Sequence, residues 1–168
     1  MISVDYVRMM ARYNAWQNGA IYGVAGGLSD KERRLDRGAF FGSIHATLSH
    51  LVWADTIWMS RFWDIDPPPG GIETSANYYS DWDRMAAARA DLDAVIRDWA
   101  QKVDPNWLTG ELTWYSTVSG GMTTRSTALL VAHFFNHQTH HRGQVHAMLT
   151  AAGAKTEATD LGFMPADT

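Results

Sequence analysis

From Leu129 to Leu149 the chain reads as one long apolar helix, and the stretch His-Phe-Phe-Asn-His-Gln-Thr-His-His-Arg-Gly-Gln at residues 133 to 144 carries four of the seven histidines. His133, His137 and His141 are spaced by four residues, and His140 and Gln144 fall close to the same line. At about 100° per residue all of them fit within a sector of about 100°. Leu130, Phe134 and Met148 share or border that sector, which makes it the side expected to face a core. The helix must therefore pack against partners that accept a row of imidazoles. A buried imidazole needs a partner of its own, and a metal ion is the partner expected here.

Composition narrows the chemistry. The 168 residues suit one domain, taken as residues 1–168, with a full-sized core. Eight tryptophans and eight methionines are many for this length and point to large side chains packed between helices. The formal net charge is −4 and no lysine-arginine run occurs, which argues against nucleic acid as a partner. With no cysteine, disulfides, thiolate metal sites and a cysteine nucleophile are excluded, so a metal must be held by histidine or carboxylate. The first residues carry charge early and do not read as a secretory signal, and no apolar run reaches about 18 residues. A cytoplasmic protein without a membrane partner is the expectation.

The rest of the chain reads as an all-α four-helix bundle with a short irregular or hairpin segment between helices three and four. The first helix spans residues 4–28, with Val7, Met10, Tyr13 or Asn14, Gln17, Ile21, Val24 and Leu28 at spacings of three and four. Ser29 and Glu32 resemble a capping box that starts a short helical turn, followed by a polar and basic connection that turns apolar at Phe40-Phe41. The second helix is expected over 43–63, capped by Ser43 and apolar on two sides. The run Asp64 to Gly71, with Pro67-Pro68-Pro69, ends it, and the loop lasts until about Asn77. The third helix is expected over 78–103, with Arg89 among its charged positions and Pro105 as its stop. Leu112 to Val118 is β-prone, with Gly120-Gly121 as the turn. The fourth helix is expected over 126–152, capped by Gly153, with the last fifteen residues laid over the helices as a tail.

His137 and His141 stand at i and i+4, a spacing at which two imidazoles grip one ion. A third ligand should come from another helix. His45 and His50 are the candidates, but five residues separate them, so they point about 140° apart and cannot serve one ion together. Spacing alone does not choose between them. His133 and His141 lie roughly 12 Å apart along the axis, which makes His133 a neighbour of the site rather than a ligand. His140 reads as an edge residue, His146 as exposed, and Gln144 as a hydrogen-bonding neighbour. Arg142 reads as outward, and Asp55 as a buried acid or a partner of a histidine, Tyr13 or Asn14. Trp16, Trp53, Trp58 and Trp63 read as core or interface residues. Phe135 and Leu149, off the histidine line, read as interface residues or as packing on the first or third helix.

Three motifs in order resemble the DinB-like family, within the DinB/YfiT superfamily of metal-dependent enzymes. They are Tyr13-Asn14-Ala15-Trp16, the run from Gly42 to Asp55 that contains His45 and His50, and Asn136-His137-Gln138-Thr139-His140-His141-Arg142-Gly143-Gln144. The resemblance implies a four-helix bundle with a divalent metal held by three histidines, one from the second helix and two from the fourth. Carried onto this chain these are His50, His137 and His141. It also implies a homodimer and a reaction with a low-molecular-weight thiol such as mycothiol or bacillithiol.

Three histidine ligands leave coordination positions open, as in catalytic zinc sites. An open divalent ion lowers the pKa of a water or thiol that binds it, or polarises a carbonyl. Imidazole suits zinc and nickel, with iron or copper as alternatives. A thiol would have to come from outside, since the chain has none. The expected activity is an S-transferase or hydrolase acting on a small molecule. The alternatives are a non-catalytic, metal- or ligand-binding dimeric bundle, with a link to stress, and a structural bundle whose histidines form hydrogen-bonded core pairs.

Overall fold

The computed structural model describes residues 2–117 and 119–166. Met1, Val118 (part of the expected β-prone run), Asp167 and Thr168 lie outside the described residues. The fold is mostly helical with one small two-stranded sheet. Four long helices carry it: α1 (Val4–Gly26), α3 (Ile44–Phe62), α4 (Trp82–Lys102) and α6 (Thr127–Ala151), with short helices α2 (Asp30–Arg34) and α5 (Pro105–Leu108) between them. α1 packs on α4 and α6, and α3 packs on the same two helices, so the four enclose one core. Val7, Leu48, Met85 and Val131, one from each long helix, are completely buried in it.

Every α-helix before α6 starts where its sequence supplies a side-chain cap. Ser3, Ser43 and Asp81 accept the backbone N–H groups of Tyr6, Ala46 and Arg84. Ser29 and Glu32 form the expected capping box of α2. Asp81 is also why α4 begins at Trp82 rather than at Tyr78. Pro105 does more than end a helix. It occupies the first turn of α5 behind the cap Asp104, where its missing N–H costs nothing. At the end of α6, Gly153 takes φ of 79° and Ala154 N–H reaches back to the Leu149 carbonyl at 3.1 Å, a Schellman closure.

The segment before α6 is a hairpin of β1 (Glu111–Ser116) and β2 (Gly121–Ser126), paired antiparallel from Glu111–Ser126 to Ser116–Gly121. The region expected as loop after α3 contains a 3₁₀ turn, Ile72–Asn77, which packs on α3. Ser49 holds it there, donating to the Ser75 carbonyl at 3.0 Å and accepting Tyr79 N–H at 3.0 Å.

Two arginines lie inside, Arg142 against its outward reading. Arg89 is buried between α3 and α4 and donates to Asp55 at 2.6 Å and Asp93 at 2.8 Å. Asp55 thus pairs with an arginine rather than a histidine. Asn18 and Asn14 both donate to Asp93, at 2.9 Å and 3.3 Å, which places these polar residues of α1 in the interior, while Met10, Val24 and Leu28 are partly buried against the core. Arg142 is buried too, donating to Asn14 and lying over the Tyr13 ring. Phe135 and Leu149 are buried within the chain, Phe135 edge-on to Tyr6 of α1, so neither offers an interface. The tail crosses α1 as expected: Tyr13 donates to the Thr159 carbonyl at 2.6 Å and Gln17 to that of Ala158 at 3.1 Å. Among the described residues no helix is long and apolar enough to cross a membrane.

Candidate metal centre

α3 and α6 run side by side in opposite directions, so His50 meets His137 and His141 while Trp58, farther along α3, meets His133. One ring nitrogen from each of His50, His137 and His141 falls within 4.8 Å of the other two. His50 and His141 are buried, and His137 is half-buried. The five-residue offset between the histidines of α3 has the expected effect. His45 faces away from the trio and donates to the Tyr79 carbonyl at 2.8 Å.

The surrounding hydrogen bonds determine which nitrogens face inward. Ser75 donates its hydroxyl proton to the Ile72 carbonyl, so its oxygen is free to accept the Nδ1–H of His50 at 2.9 Å. His141 Nδ1–H donates to Gln144 Oε1 at 2.8 Å. Both rings are thereby assigned tautomers whose Nε2 carries a lone pair. His50 Nε2 lies 3.3 Å from His137 Nε2. Two ligands at about 2.0–2.1 Å from a tetrahedral zinc are about 3.3 Å apart, so the spacing fits an ion between them. The donor set, three imidazoles with no thiolate and no carboxylate, suits zinc or nickel.

Burial keeps these imidazoles neutral. It is the main cause that holds His50 down at about 4 and His137 at about 3, and His141 adds to both. His141 and His133 are also pushed below the ordinary histidine value, again by burial first. Neutral imidazole is the ligand form, so the site needs no deprotonation at neutral pH.

Aromatic side chains close one side. Phe41 stacks on His50 at 4.1 Å between centroids and tilts against His141 at 5.4 Å. A tight turn places it: Gly42 N–H bonds the Ala39 carbonyl at 2.8 Å, and Gly42 takes φ of 76°, a backbone state that suits glycine. Trp53 flanks His50 on α3 and donates to the Pro69 carbonyl at 3.3 Å.

The other residues singled out in the sequence sort as follows. His133 lies outside the trio with its ring 5.7 Å from His137 and 5.3 Å from Trp58. His140 is exposed and shares Gln144 with His141. His146, read as exposed, is half-buried and lines a cleft with Tyr13, Gln17 and Thr159. Sequence reasoning missed Ser75 and Phe41. The apolar pair Phe40-Phe41 in a polar connection was a usable signal for Phe41. Ser75, in a loop, had none.

Long helices that converge three neutral imidazoles on one point define a helical protein with a candidate three-histidine metal centre. The chain belongs to the DinB family, whose sequence profile matches residues 3–167. Its fold is similar to the crystal structure of a DinB-like protein from Bacillus cereus, with a TM-score of 0.63 at 14% identity over 85% of this chain and 90% of that one. No curated protein matches the chain.

Proposed function

We propose that this protein is a divalent-metal-dependent enzyme acting on a small molecule, most directly an S-transferase that uses an external low-molecular-weight thiol, or else a hydrolase. The observation that carries the reading is the convergence of His50, His137 and His141 within 4.8 Å, with the tautomers of His50 and His141 set by Ser75 and Gln144. Zinc or nickel is the ion proposed, and the four long helices are read as the family's four-helix bundle. A divalent ion held there supplies Lewis acidity, lowering the pKa of a water or thiol or polarising a carbonyl.

The chain's own residues do the rest. Ser75 and Gln144 aim the imidazoles. Phe41 and Trp53 cover the His50 side and exclude water from it, while half-buried His137 stands on the side left for a substrate. The thiol must be a cosubstrate because the chain has no cysteine. We further propose a homodimer, as in the family; sedimentation equilibrium that gives the mass of one chain at micromolar concentration refutes it.

The test is elemental analysis of protein purified without an affinity tag, followed by a thiol-transfer screen. The expected result is about one zinc or nickel per chain, lost in His137→Ala, and metal-dependent thiol transfer to at least one electrophile. Stoichiometric metal in His137→Ala removes the ligand assignment. Metal binding without turnover across a broad panel of thiols, electrophiles and esters favours a non-catalytic metal module.

A further inference from the structure

A row of side chains leads away from the triad along α3 and α6, and it ends in an arginine without an anion. His133 lies between the His137 ring and the Trp58 ring. Trp58 meets Trp114 of β1 edge-on at 5.7 Å. The guanidinium of Arg61 sits over Trp58 at 4.5 Å and over Trp114 at 5.5 Å. Arg61 is eleven residues after His50, which returns it to nearly the same face of α3, about 16 Å along the axis. The hairpin therefore contributes a wall to the same side of the molecule that the triad occupies.

Arg61 differs from the other arginines withdrawn from water. Arg33 donates to the Ala25 and Leu28 carbonyls, Arg89 to two aspartates and Arg142 to Asn14. Among the described residues, the guanidinium of half-buried Arg61 has no carboxylate, carbonyl or hydroxyl acceptor, only the faces of two indoles. Burial pushes its pKa below the ordinary arginine value with nothing to oppose it. The two indoles hold the planar guanidinium in place but leave its N–H edges unmatched, and those edges fit a carboxylate in a two-point fork.

We infer that Arg61, seated on Trp58 and Trp114, binds the carboxylate of an elongated organic acid whose apolar body lies along Trp58 and His133 and whose reacting group reaches the triad. The inference rests on reading the triad as the reacting centre. It narrows the substrate class to a molecule with a carboxylate on the order of 10–15 Å from its reacting atom. Arg61 is a specificity residue; the chemistry belongs to the triad.

The probes are 4-phenylbutyrate, its neutral amide 4-phenylbutyramide, and acetate, titrated calorimetrically into zinc-loaded and chelator-stripped protein. Wild type is expected to bind phenylbutyrate at least ten-fold more tightly than the amide or acetate, in both metal states. Arg61→Met should erase the preference over the amide and Arg61→Lys should keep part of it. Both variants should retain wild-type zinc stoichiometry and thermal unfolding, so a loss of folding is not mistaken for a loss of the subsite. Equal binding of phenylbutyrate by wild type and Arg61→Met overturns the inference. So does binding that vanishes with the zinc, since the carboxylate then sits on the ion, and so does acetate binding as tightly as the aryl acid. If wild type binds no metal yet the Arg61-dependent preference persists, the metal reading fails and the subsite stands.

Discussion

Ser75 hydrogen-bonds one imidazole of the triad and thereby determines what His50 can do. Its oxygen accepts the Nδ1–H of His50, which leaves Nε2 with the lone pair that faces His137. Replacing it by alanine leaves a buried N–H without an acceptor and lets the ring adopt the other tautomer, with its proton where an ion would sit. Ser75→Ala should therefore weaken zinc binding by about 10–100-fold, read by competition with a chromophoric chelator. Stability of the metal-free chain should fall by about 1–3 kcal/mol, since the hydroxyl's two neutral hydrogen bonds, to the Ile72 carbonyl and from His50, are removed. An unchanged zinc affinity would show that the serine does not orient the ligand. Gln144 holds the same relation to His141, and it was legible in advance because it lies one helical turn from its partner. Ser75 was not, because it reaches His50 from a segment 25 residues away whose position depends on the whole fold.

At the level of elements, the buried charges tie the helices together. Arg89 of α4 reaches Asp55 of α3 and Asp93 of its own helix, and Asp93 in turn receives Asn14 and Asn18 of α1. Burial opposes the charge of Arg89, but Asp93 and Asp55 outweigh it and hold its pKa above the ordinary value. Arg89→Met keeps volume but strands two acids in the interior, and should cost about 3–5 kcal/mol in urea unfolding. Adding Asp55→Asn and Asp93→Asn should recover part of that loss. If Arg89→Met alone costs under about 1 kcal/mol, the trio does not bind the helices. The same residues show where sequence reading stops. Periodicity, caps and glycines marked all four long helices, the capping box of α2, the hairpin and the end of α6. An arginine in an amphipathic pattern reads as outward unless its counter-charge is known, and for Arg89 one partner lies 34 residues away on another helix. The histidine pair of α6 was visible from spacing within one helix, whereas the choice of His50 over His45 needed the family motif.

Over the whole molecule, the triad joins the first half of the chain to its last helix, so its protonation belongs to global stability. Folded His50 and His137 titrate at about 4 and about 3, while an unfolded histidine titrates near about 6.5. Between those values the unfolded chain binds more protons than the folded one, so acid favours unfolding. The contribution of neutral His50 and His137 is fully present above about pH 6.5 and is lost as pH falls from there through about 4 and then about 3. Metal-free protein should accordingly show a falling Tm from pH 7 to pH 5, and His50→Gln with His137→Gln should flatten that slope. An ion that binds only the folded chain opposes the protons: at a free concentration of 100 times its Kd it adds about 2.7 kcal/mol. Zinc-loaded protein should hold its Tm to lower pH than metal-free protein and then lose both zinc and stability together. A metal-free Tm that stays level between pH 7 and pH 5, or a double variant as acid-sensitive as wild type, would assign the acid response to other groups and remove the triad from the stability of the fold.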